Sequence, residues 1–193
     1  MTTTTGPNFR YWDSVDPAHF LEHDWQNPSR EWATARAIEA AEGGTLLEVG
    51  PGPGVDYERY FAKAKGVRYI GLEGSSNLCH ALQSRFPDAE WLNGELTALP
   101  VRHADVVYAR HVMEHQPAIE PALGRLLGAA RKAVVLTWYR PPGPVAVSEV
   151  WRDVHCQTFA RTEIMKAIKR HRWRITDTET FTSGDEAWVL KRR

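Results

Sequence analysis

The stretch that decides the fold is TLLEVGPGPGV, residues 45–55. Its first half is mostly apolar, which predicts a short, buried strand of a parallel sheet. Its second half alternates three glycines with two prolines: Gly50, Pro51, Gly52, Pro53 and Gly54. Glycine lets the chain turn sharply and lets a ligand approach, while proline stiffens the turn and removes a backbone donor. We therefore predict a strand that ends in a rigid ligand-binding turn.

Glu48 interrupts the apolar run shortly before its end. A carboxylate is costly to bury unless it meets a partner, so its position indicates a site beside the turn. Beyond the turn, Tyr57, Phe61 and Ala64 repeat at helical spacing and Gly66 ends the helix. A strand, a glycine turn and a helix form the first half of a nucleotide-binding βαβ unit.

The glycine spacing distinguishes between two classes of cofactor. Dinucleotide folds use G-x-G-x-x-G, whose amides hold a pyrophosphate. Here the spacing is G-x-G-x-G and two amides are replaced by proline, which suits a cofactor without phosphate. Read with Glu48, the pattern E-x-G-x-G-x-G closely resembles motif I of class I methyltransferases that use S-adenosylmethionine (SAM).

Length and charge limit the classes of function. A chain of 193 residues fits one domain, and the 24 acidic and 24 basic residues give no net field that would attract nucleic acid or an anionic membrane. Cys79 and Cys156 have no metal or redox spacing. No apolar run approaches the roughly 18 residues of a membrane span, and no signal peptide opens the chain. We expect a cytoplasmic α/β protein.

Further motifs follow in the expected order. Residues 68–73, RYIGLE, read as a second strand ending in Glu73, about 20 residues beyond the glycines, where nucleotide folds place a carboxylate for the ribose. Gly94-Glu95-Leu96, with Leu99-Pro100, resembles the family stretch G-D-A-x-x-L-P, with glutamate in place of aspartate. Residues 105–115, DVVYARHVMEH, resemble the signature F-D-V-V-x-x-x-x-V-L-E-H of methyltransferases that act mostly on small molecules.

The resemblance covers about residues 32–136 and implies the Rossmann-like methyltransferase fold. This is a three-layer α/β sandwich on a seven-stranded, mostly parallel sheet with a C-terminal antiparallel hairpin. The runs at 172–181 and 187–191, separated by polar turn residues, agree with that hairpin. We expect a single SAM-binding domain over residues 29–193.

The implied cofactor is SAM, with S-adenosylhomocysteine as the product. In the family, Gly50 and the strand end near Ala109 hold the methionine amine, Glu73 the ribose, and Glu95 with Leu96 the adenine. The full set of expected cofactor residues is Glu48, Gly50, Pro51, Gly52, Gly54, Glu73, Gly74, Gly94, Glu95, Leu96, Ala109, Arg110 and His115.

Residues 1–28 are predicted to form an N-terminal arm. It opens with a polar stretch, and then Phe9, Tyr11, Trp12, Phe20 and Trp25 alternate with acids and histidines. Such an arm packs across the domain or closes over the ligand as a lid, and both alternatives stay open. Asn27-Pro28-Ser29 then predicts a helix start, with an apolar stripe of Trp32, Ala35, Ile38 and Ala41.

The acceptor is expected beyond the ends of the fourth and fifth strands. We predict that residues 140–157 are irregular, because Arg140-Pro141-Pro142-Gly143-Pro144 cannot form helix or central strand. We expect Tyr11, Tyr139 and Trp151 to face the acceptor. His111 and His155 are candidate general bases, whereas the family resemblance implies an orienting role for His115. Alternatively, Trp138 and Trp151 pack under the C-terminal hairpin, and the acceptor lies at Arg110 and His111.

The predicted reaction is methyl transfer by in-line displacement to an oxygen, nitrogen, sulfur or carbon atom of a small molecule. The basic cluster around residues 166–174 complements a helix dipole, and the motifs of nucleic-acid methyltransferases are absent from the sequence. Two alternatives remain: a catalytically inactive SAM-binding partner subunit, and a nucleotide-dependent oxidoreductase on the same fold.

Overall fold

The apolar run before the glycine turn forms strand β1, Thr45–Val49, in the interior of a parallel sheet. The computed structural model of the chain describes residues 7–14, 16, 27–97 and 104–193. Leu46 and Leu47 are both buried, because successive side chains point to opposite faces of the sheet and both faces are covered.

The other strands are β2 (Arg68–Glu73), β3 (Glu90–Asn93), β4 (Ala104–Arg110), β5 (Ala130–Trp138), β6 (Val147–Trp151), β7 (Val154–Thr158), β8 (Trp173–Thr180) and β9 (Glu186–Arg192). The helices are α1 (Pro7–Ser14), α2 (Pro28–Ala41), α3 (Val55–Arg59), α4 (Ser76–Arg85), α5 (Ile119–Ala129) and α6 (Arg161–Arg170). Short 3₁₀ helices cover Phe61–Lys63 and Met113–His115.

Within the described residues, seven strands form one sheet in the order β3-β2-β1-β4-β5-β9-β8. The strands β1 to β5 are parallel, and β9 is antiparallel to both β5 and β8. The predicted mostly parallel sheet with a C-terminal antiparallel hairpin is confirmed. The strand order reverses between β2 and β4 on either side of β1, which is where open α/β sheets bind their ligands.

Two apolar cores cover the two faces of this sheet. On one face, α5 and α6 bury Leu123 and Ile164 against alternate strand residues such as Val107. On the other face, α2 and α4 bury Ala37 and Leu82 against the intervening strand residues. Helices, sheet and helices therefore form the predicted three layers.

The apolar stripe predicted for α2 does not match the face of the helix that is buried. Asn27 caps this helix by accepting a hydrogen bond from the amide of Ser29 (2.9 Å), as predicted. However, Ala35 is exposed, whereas the polar residues Ser29 and Arg30 are buried. The reason is that Ser29 and Arg30 have buried carboxylate partners, so the inward face includes polar positions that an apolar stripe does not reveal.

Residues 140–157 are not irregular throughout, contrary to the prediction. Strands β6 and β7 pair as a separate antiparallel hairpin. Its two-residue turn, Arg152 and Asp153, has φ angles of 49° and 65°, the left-handed geometry that matches the twist of a hairpin. Every residue of β6 is exposed, so its sequence has no apolar alternation to indicate a strand. The predicted helix after Gly54 is also shorter, because α3 ends at Arg59 and a 3₁₀ turn follows.

Helix α1 docks on the start of α4. The Asp13 carboxylate accepts hydrogen bonds from the Ser75 hydroxyl (2.7 Å) and the Asn77 amide (3.3 Å). The arm residues Phe20 and Trp25, the polar residues 1–6 and the pair Leu99-Pro100 lie outside the described residues. No helix in the described part of the chain is both long and apolar enough to cross a membrane.

Candidate functional site

The three glycines of the turn all have left-handed backbones, but their surroundings differ. Their φ angles are 66°, 56° and 82° at Gly50, Gly52 and Gly54. A Cβ at Gly50 would lie 2.6 Å from Val112 Cγ2, and one at Gly54 would lie 2.6 Å from Leu82 Cδ2. A Cβ at Gly52 would meet nothing within 4 Å. The middle glycine therefore faces open space, and the outer two fit the turn to its neighbours.

A cavity of about 330 Å³ opens beside this turn, at the carboxyl ends of β1, β2 and β4. Many of the predicted site residues line it: Glu48, Gly50, Pro51, Gly52, Glu73, Gly74, Gly94, Leu96, Arg110, His111, His115 and Tyr139. Six other predicted residues are not among those that line it: Gly54, Glu95, Ala109, Tyr11, Trp151 and His155.

Glu73 lies at the end of β2 and holds the glycine turn. Its carboxylate accepts hydrogen bonds from the amides of Gly52 (3.0 Å) and Ser75 (2.9 Å). Burial raises the pKa of Glu73 to about 7, although these backbone donors act in the opposite direction. The carboxyl group is thus fixed at the cavity and changes its charge near neutral pH.

Glu48 has the buried partner that its position in the strand required. The hydroxyl of Tyr69, on the neighbouring strand β2, donates a 2.5 Å hydrogen bond to it. Burial, together with the nearby Asp56 carboxylate, raises the pKa of Glu48 well above its usual range. The group is therefore mostly protonated at neutral pH.

A buried ionic cluster under the turn was missed by the sequence analysis. Asp56, at the start of α3, pairs with Arg30 of α2 and lies 3.6 Å from the guanidinium of Arg110. The Tyr108 hydroxyl also donates to Asp56, at 2.7 Å. Arg30, Asp56 and Arg110 all line the cavity. The one available signal was the arginine on the inward side of α2, which a purely apolar stripe leaves out.

His111 has the strained backbone that is common at functional sites. It follows β4 with a φ of 55°, held by a hydrogen bond from its amide to the Thr137 carbonyl (2.9 Å). Its Nε2 lies 3.1 Å from Asp185 Oδ2, and its Nδ1 lies 2.8 Å from Arg110 Nη1. The ring packs edge-on against Tyr139, with centroids 5.3 Å apart.

Asp185 was read as a turn residue of the C-terminal hairpin, yet it is buried at the site. Asn27 and Ser29 donate to the same carboxylate oxygen that faces His111, at 2.9 Å and 2.5 Å. Burial alone would raise the pKa of Asp185, but the hydrogen bonds from His111, Ser29 and Asn27 outweigh it and hold the pKa at about 2. Asp185 therefore carries its negative charge at all ordinary pH values.

His115 forms part of the opposite cavity wall. Its Nδ1 donates to the carbonyl of His155 (2.8 Å), and its ring lies 5.4 Å from that of Trp12. Burial lowers the pKa of His115, so the ring is neutral at neutral pH. Only the backbone of His155 takes part in this contact; its side chain lies 3.3 Å from the amide nitrogen of Gln157.

The aromatic residues that were expected around the acceptor lie in two different places. Trp12 of α1 lines the cavity, whereas Tyr11 packs on Trp151 of the β6–β7 hairpin, with ring centroids 5.2 Å apart. Trp151 is 51% exposed. Trp138 is fully buried against Trp188 of β9. Trp138 is therefore a core residue, whereas Trp151 joins the N-terminal helix to the hairpin.

Glu114 positions the end of β5 and was also missed. Its carboxylate accepts hydrogen bonds from the amides of Tyr139 (2.6 Å) and Arg140 (3.3 Å). Burial raises its pKa to about 7. These two hydrogen bonds hold the backbone directly after β5, where Tyr139 lines the cavity.

The strand order, the glycine turn after β1 and the carboxylate at the end of β2 together define the class I methyltransferase fold. Residues 18–176 match the family described as a methyltransferase domain. The chain belongs to this family, whose cofactor is SAM.

Individual known proteins are similar to parts of the chain. A trans-aconitate 2-methyltransferase of Azoarcus sp. (strain BH72) is 26% identical over 98 residues, 50% of this chain and 39% of that protein. An uncharacterized methyltransferase of Mycobacterium ulcerans (strain Agy99) is 37% identical over 120 residues, 56% of this chain and 44% of that protein. This chain therefore spans less than half the length of either relative.

The structure of magnesium protoporphyrin IX methyltransferase from Synechocystis PCC 6803, solved with bound SAM, superposes with a TM-score of 0.74. The two proteins are 13% identical, and the alignment covers 100% of both chains. The likeness shows that the two proteins share a fold.

Proposed function

We propose that this chain transfers the methyl group of SAM to a small-molecule acceptor by in-line displacement. The observation that carries the proposal is the cavity at Gly52, where the turn presents open space beside the Glu73 carboxylate. SAM supplies its own electrophile, a methyl group on a positive sulfur. The protein's contribution is mainly to position the acceptor behind that methyl group.

The lining of the cavity supports an arrangement of the cofactor along the strand ends. Glu73 accepts hydrogen bonds from the ribose hydroxyls. The segment Gly94-Glu95-Leu96 holds the adenine, and two of its residues, Gly94 and Leu96, line the cavity. The methionine lies toward Gly50 and Arg110. We add Arg30 to the predicted set, because it lines the same cavity and pairs with Asp56, which also lines it.

The acceptor lies in the part of the cavity lined by Trp12, His111, His115, Gln116 and Tyr139. These side chains offer aromatic walls and hydrogen-bonding groups, and none of them is acidic. Such a lining favours a neutral or anionic acceptor over a cation. Carboxylates are a reasonable class to test first, because two relatives are trans-aconitate methyltransferases.

The arm at residues 1–28 acts as a lid in this proposal, above a cofactor-binding domain at 29–193. The support is that Trp12 of α1 lines the cavity while Asp13 holds α1 on α4. Tyr11 and Trp151 then act behind the cavity wall by holding the lid, instead of contacting the acceptor. A cytoplasmic location stays a prediction from the sequence.

The general bases predicted from sequence are less well placed. His155 is outside the cavity lining, and both ring nitrogens of His111 face polar neighbours. A carboxylate acceptor needs no base, since it is already ionised at neutral pH. The reaction we propose therefore depends on positioning of the acceptor.

The test is a binding and transfer experiment. Calorimetry with SAM, S-adenosylhomocysteine and NAD should show binding of the first two alone. Radiolabelled SAM is then incubated with a panel of carboxylates (trans-aconitate among them), phenols and nitrogen heterocycles. Methyl transfer to one class supports the proposal. Binding of NAD without SAM would favour the oxidoreductase, and SAM binding with no transfer to any class would favour an inactive partner subunit.

A further inference from the structure

The outer edge of strand β6 has no backbone partner among the described residues. Strands β6 and β7 form a sheet of two strands, and no other described segment makes a backbone hydrogen bond to residues 145–151. Every residue of β6 is exposed, whereas Val154 and Cys156 of β7 are buried. A sheet of two strands is marginal on its own, and an open edge is a template for a further strand.

This edge holds most of the exposed apolar surface of the described residues. Five large apolar side chains are exposed there, and four of them belong to this one segment: Val145, Val147, Val150 and Trp151. Proteins that keep an edge strand free usually protect it with lysine or proline. Residues 145–151, VAVSEVW, contain neither. The edge therefore lacks the features that prevent pairing with another strand.

The charges at this edge favour a second copy of the chain over a charged partner. The one charged residue of the segment, Glu149, is already neutralised, because Arg140 Nη1 lies 2.6 Å from its Oε2. Arg140 also donates to the Cys156 carbonyl (3.1 Å), so the ion pair is fixed to the hairpin. The whole chain balances 24 acidic against 24 basic residues, so two copies do not repel each other. Nucleic acid or an acidic protein would find no unbalanced positive charge here.

One antiparallel register makes the edge complementary to itself. In the register centred on Ser148, each residue of the segment faces one of the partner subunit: Val145 faces Trp151, Ala146 faces Val150, and Val147 faces Glu149. Facing pairs of an aromatic and a β-branched residue stabilise adjacent strands, whereas facing like charges destabilise them. A register centred on Glu149 would oppose two carboxylates. The register centred on Ser148 avoids that repulsion and pairs the apolar residues at both ends of the segment.

We propose that β6 forms the interface of a symmetric homodimer, in which two β6 strands pair antiparallel about a two-fold axis at Ser148. The two hairpins then form one four-stranded sheet, with β7 of each copy on the outside. Pairing satisfies the backbone groups of both open edges. The pairing spans seven residues of each copy, fewer than the roughly 20–30 of a standard interface, so we expect a reversible dimer with a dissociation constant of about 10 μM.

The dimer connects the partner subunit to the wall of the cavity. Trp151 packs against Tyr11, and the next residue of α1, Trp12, lines the cavity. In the proposed register, Val145 of the partner subunit lies beside the same tryptophan. The second copy therefore supports the hairpin on which α1 rests, but it contributes no residue to the cavity.

The first experiment is sedimentation velocity of the ligand-free protein between about 1 and 100 μM. We expect the wild type to change from monomer to dimer over this range. Ser148→Lys places two like charges opposite each other at the axis, so this variant should stay monomeric throughout. The control Thr178→Lys makes a similar change at an exposed position of β8, the edge strand of the large sheet, and should dimerise like the wild type.

The second experiment tests the register by cross-linking, and it stays informative if Ser148→Lys does not fold. Facing residues of antiparallel strands have Cβ atoms about 4.5–5.5 Å apart, which a small adjustment brings within reach of a disulfide. Ser148→Cys should therefore form a covalent dimer under mild oxidation, whereas Thr178→Cys should not. The native residues Cys79 and Cys156 are both buried, so the wild type should not cross-link.

Three outcomes would overturn the proposal. The first is a wild type that stays monomeric up to about 100 μM. The second is a folded Ser148→Lys variant that dimerises like the wild type, and the third is a Ser148→Cys variant that cross-links no faster than Thr178→Cys. Either of the last two results would show that the copies meet at a surface other than β6.

Discussion

The amide of Gly52 donates a hydrogen bond to the Glu73 carboxylate at 3.0 Å, so the end of one strand fixes the turn that follows its neighbour. The two residues are 21 positions apart in the chain, yet they form one side of the cavity. A ligand that enters beside Gly52 must therefore also meet Glu73. This contact explains why a glycine turn and an acid at the end of the next strand occur together.

We expect Glu73→Gln to weaken SAM binding at least about tenfold, because the neutral amide replaces charge-assisted hydrogen bonds to the ribose. The thermal midpoint of the ligand-free protein should change little, since the variant loses a backbone contact but no longer buries an ionisable group. Calorimetry and thermal unfolding measure the two effects. Glu90→Gln on β3, where the glutamate pairs with Arg68 at the surface, is the matched control. Equal SAM affinity in both variants would show that Glu73 does not bind the ribose.

Stability should fall as the pH rises through neutrality. Burial raises the pKa of Glu73 and Glu114 to about 7, above the value near 4.5 in the unfolded chain. The folded state therefore binds more protons than the unfolded state, and the stability present below pH 4.5 is lost as the pH passes through about 7. His115, whose pKa is lowered, acts in the opposite direction below about pH 6.5.

Urea unfolding of the ligand-free protein between pH 6.5 and 8 separates these effects. The free energy of unfolding should decrease over this range, and Glu114→Gln should make the decrease shallower. A free energy that increases with pH in the wild type would show that the buried carboxyl groups ionise at their ordinary pKa values.

The turn glycines should respond differently to alanine. Gly54→Ala should lower the free energy of unfolding by about 2 kcal/mol, because the new Cβ meets Leu82 and the backbone is left-handed. Gly128→Ala in α5 has space around it and should raise the free energy by about 0.5–1 kcal/mol. Gly52→Ala has space, but its backbone is also left-handed, so it should lower the free energy of unfolding by about 1 kcal/mol. Its Cβ would also project at the cavity and should weaken SAM binding. Urea unfolding and calorimetry distinguish the three; a stable Gly54→Ala would contradict the packing around the turn.

Removing Trp151 should loosen the N-terminal helix. Trp151→Ala deletes the ring on which Tyr11 packs, so α1 should lose protection in hydrogen exchange. The Km for the acceptor should rise, while the affinity for SAM stays within about twofold. Val150→Ala, a neighbouring exposed position of the same hairpin, should leave both unchanged. Undiminished exchange protection of residues 7–14 in Trp151→Ala would show that the contact does not hold α1.

Local sequence patterns were sufficient for most of the sheet. The run before Gly50 and the run ending in Glu73 formed β1 and β2 at the predicted places, because buried parallel strands need continuous apolar sequence. The C-terminal hairpin was predictable for a similar reason, since two alternating runs were separated by a polar turn. In contrast, β6 is exposed along its whole length, and such a strand has no pattern to read.

The missed site residues have partners far away in the sequence. Asp185 is 74 positions from His111, and Asp56 is 26 positions from Arg30. Each of these side chains looks ordinary alone, as a turn aspartate or a helix arginine. Their role appears only when tertiary structure brings them to one end of the cavity, and a local pattern does not contain that information.

The position of β9 between β5 and β8 has a consequence for the order of folding. In the described sheet β8 pairs only with β9, so neither strand of the hairpin joins the sheet until the last strand of the sequence has docked on β5. This pairing joins distant parts of the chain, and such contacts form late and slowly. Asp185 sits directly before β9 and arrives with it, so the contact between Asp185 and His111 forms only when β9 docks. A nascent chain can therefore form the glycine turn early, but His111, which lines the cavity, gains this buried contact only after the hairpin has docked.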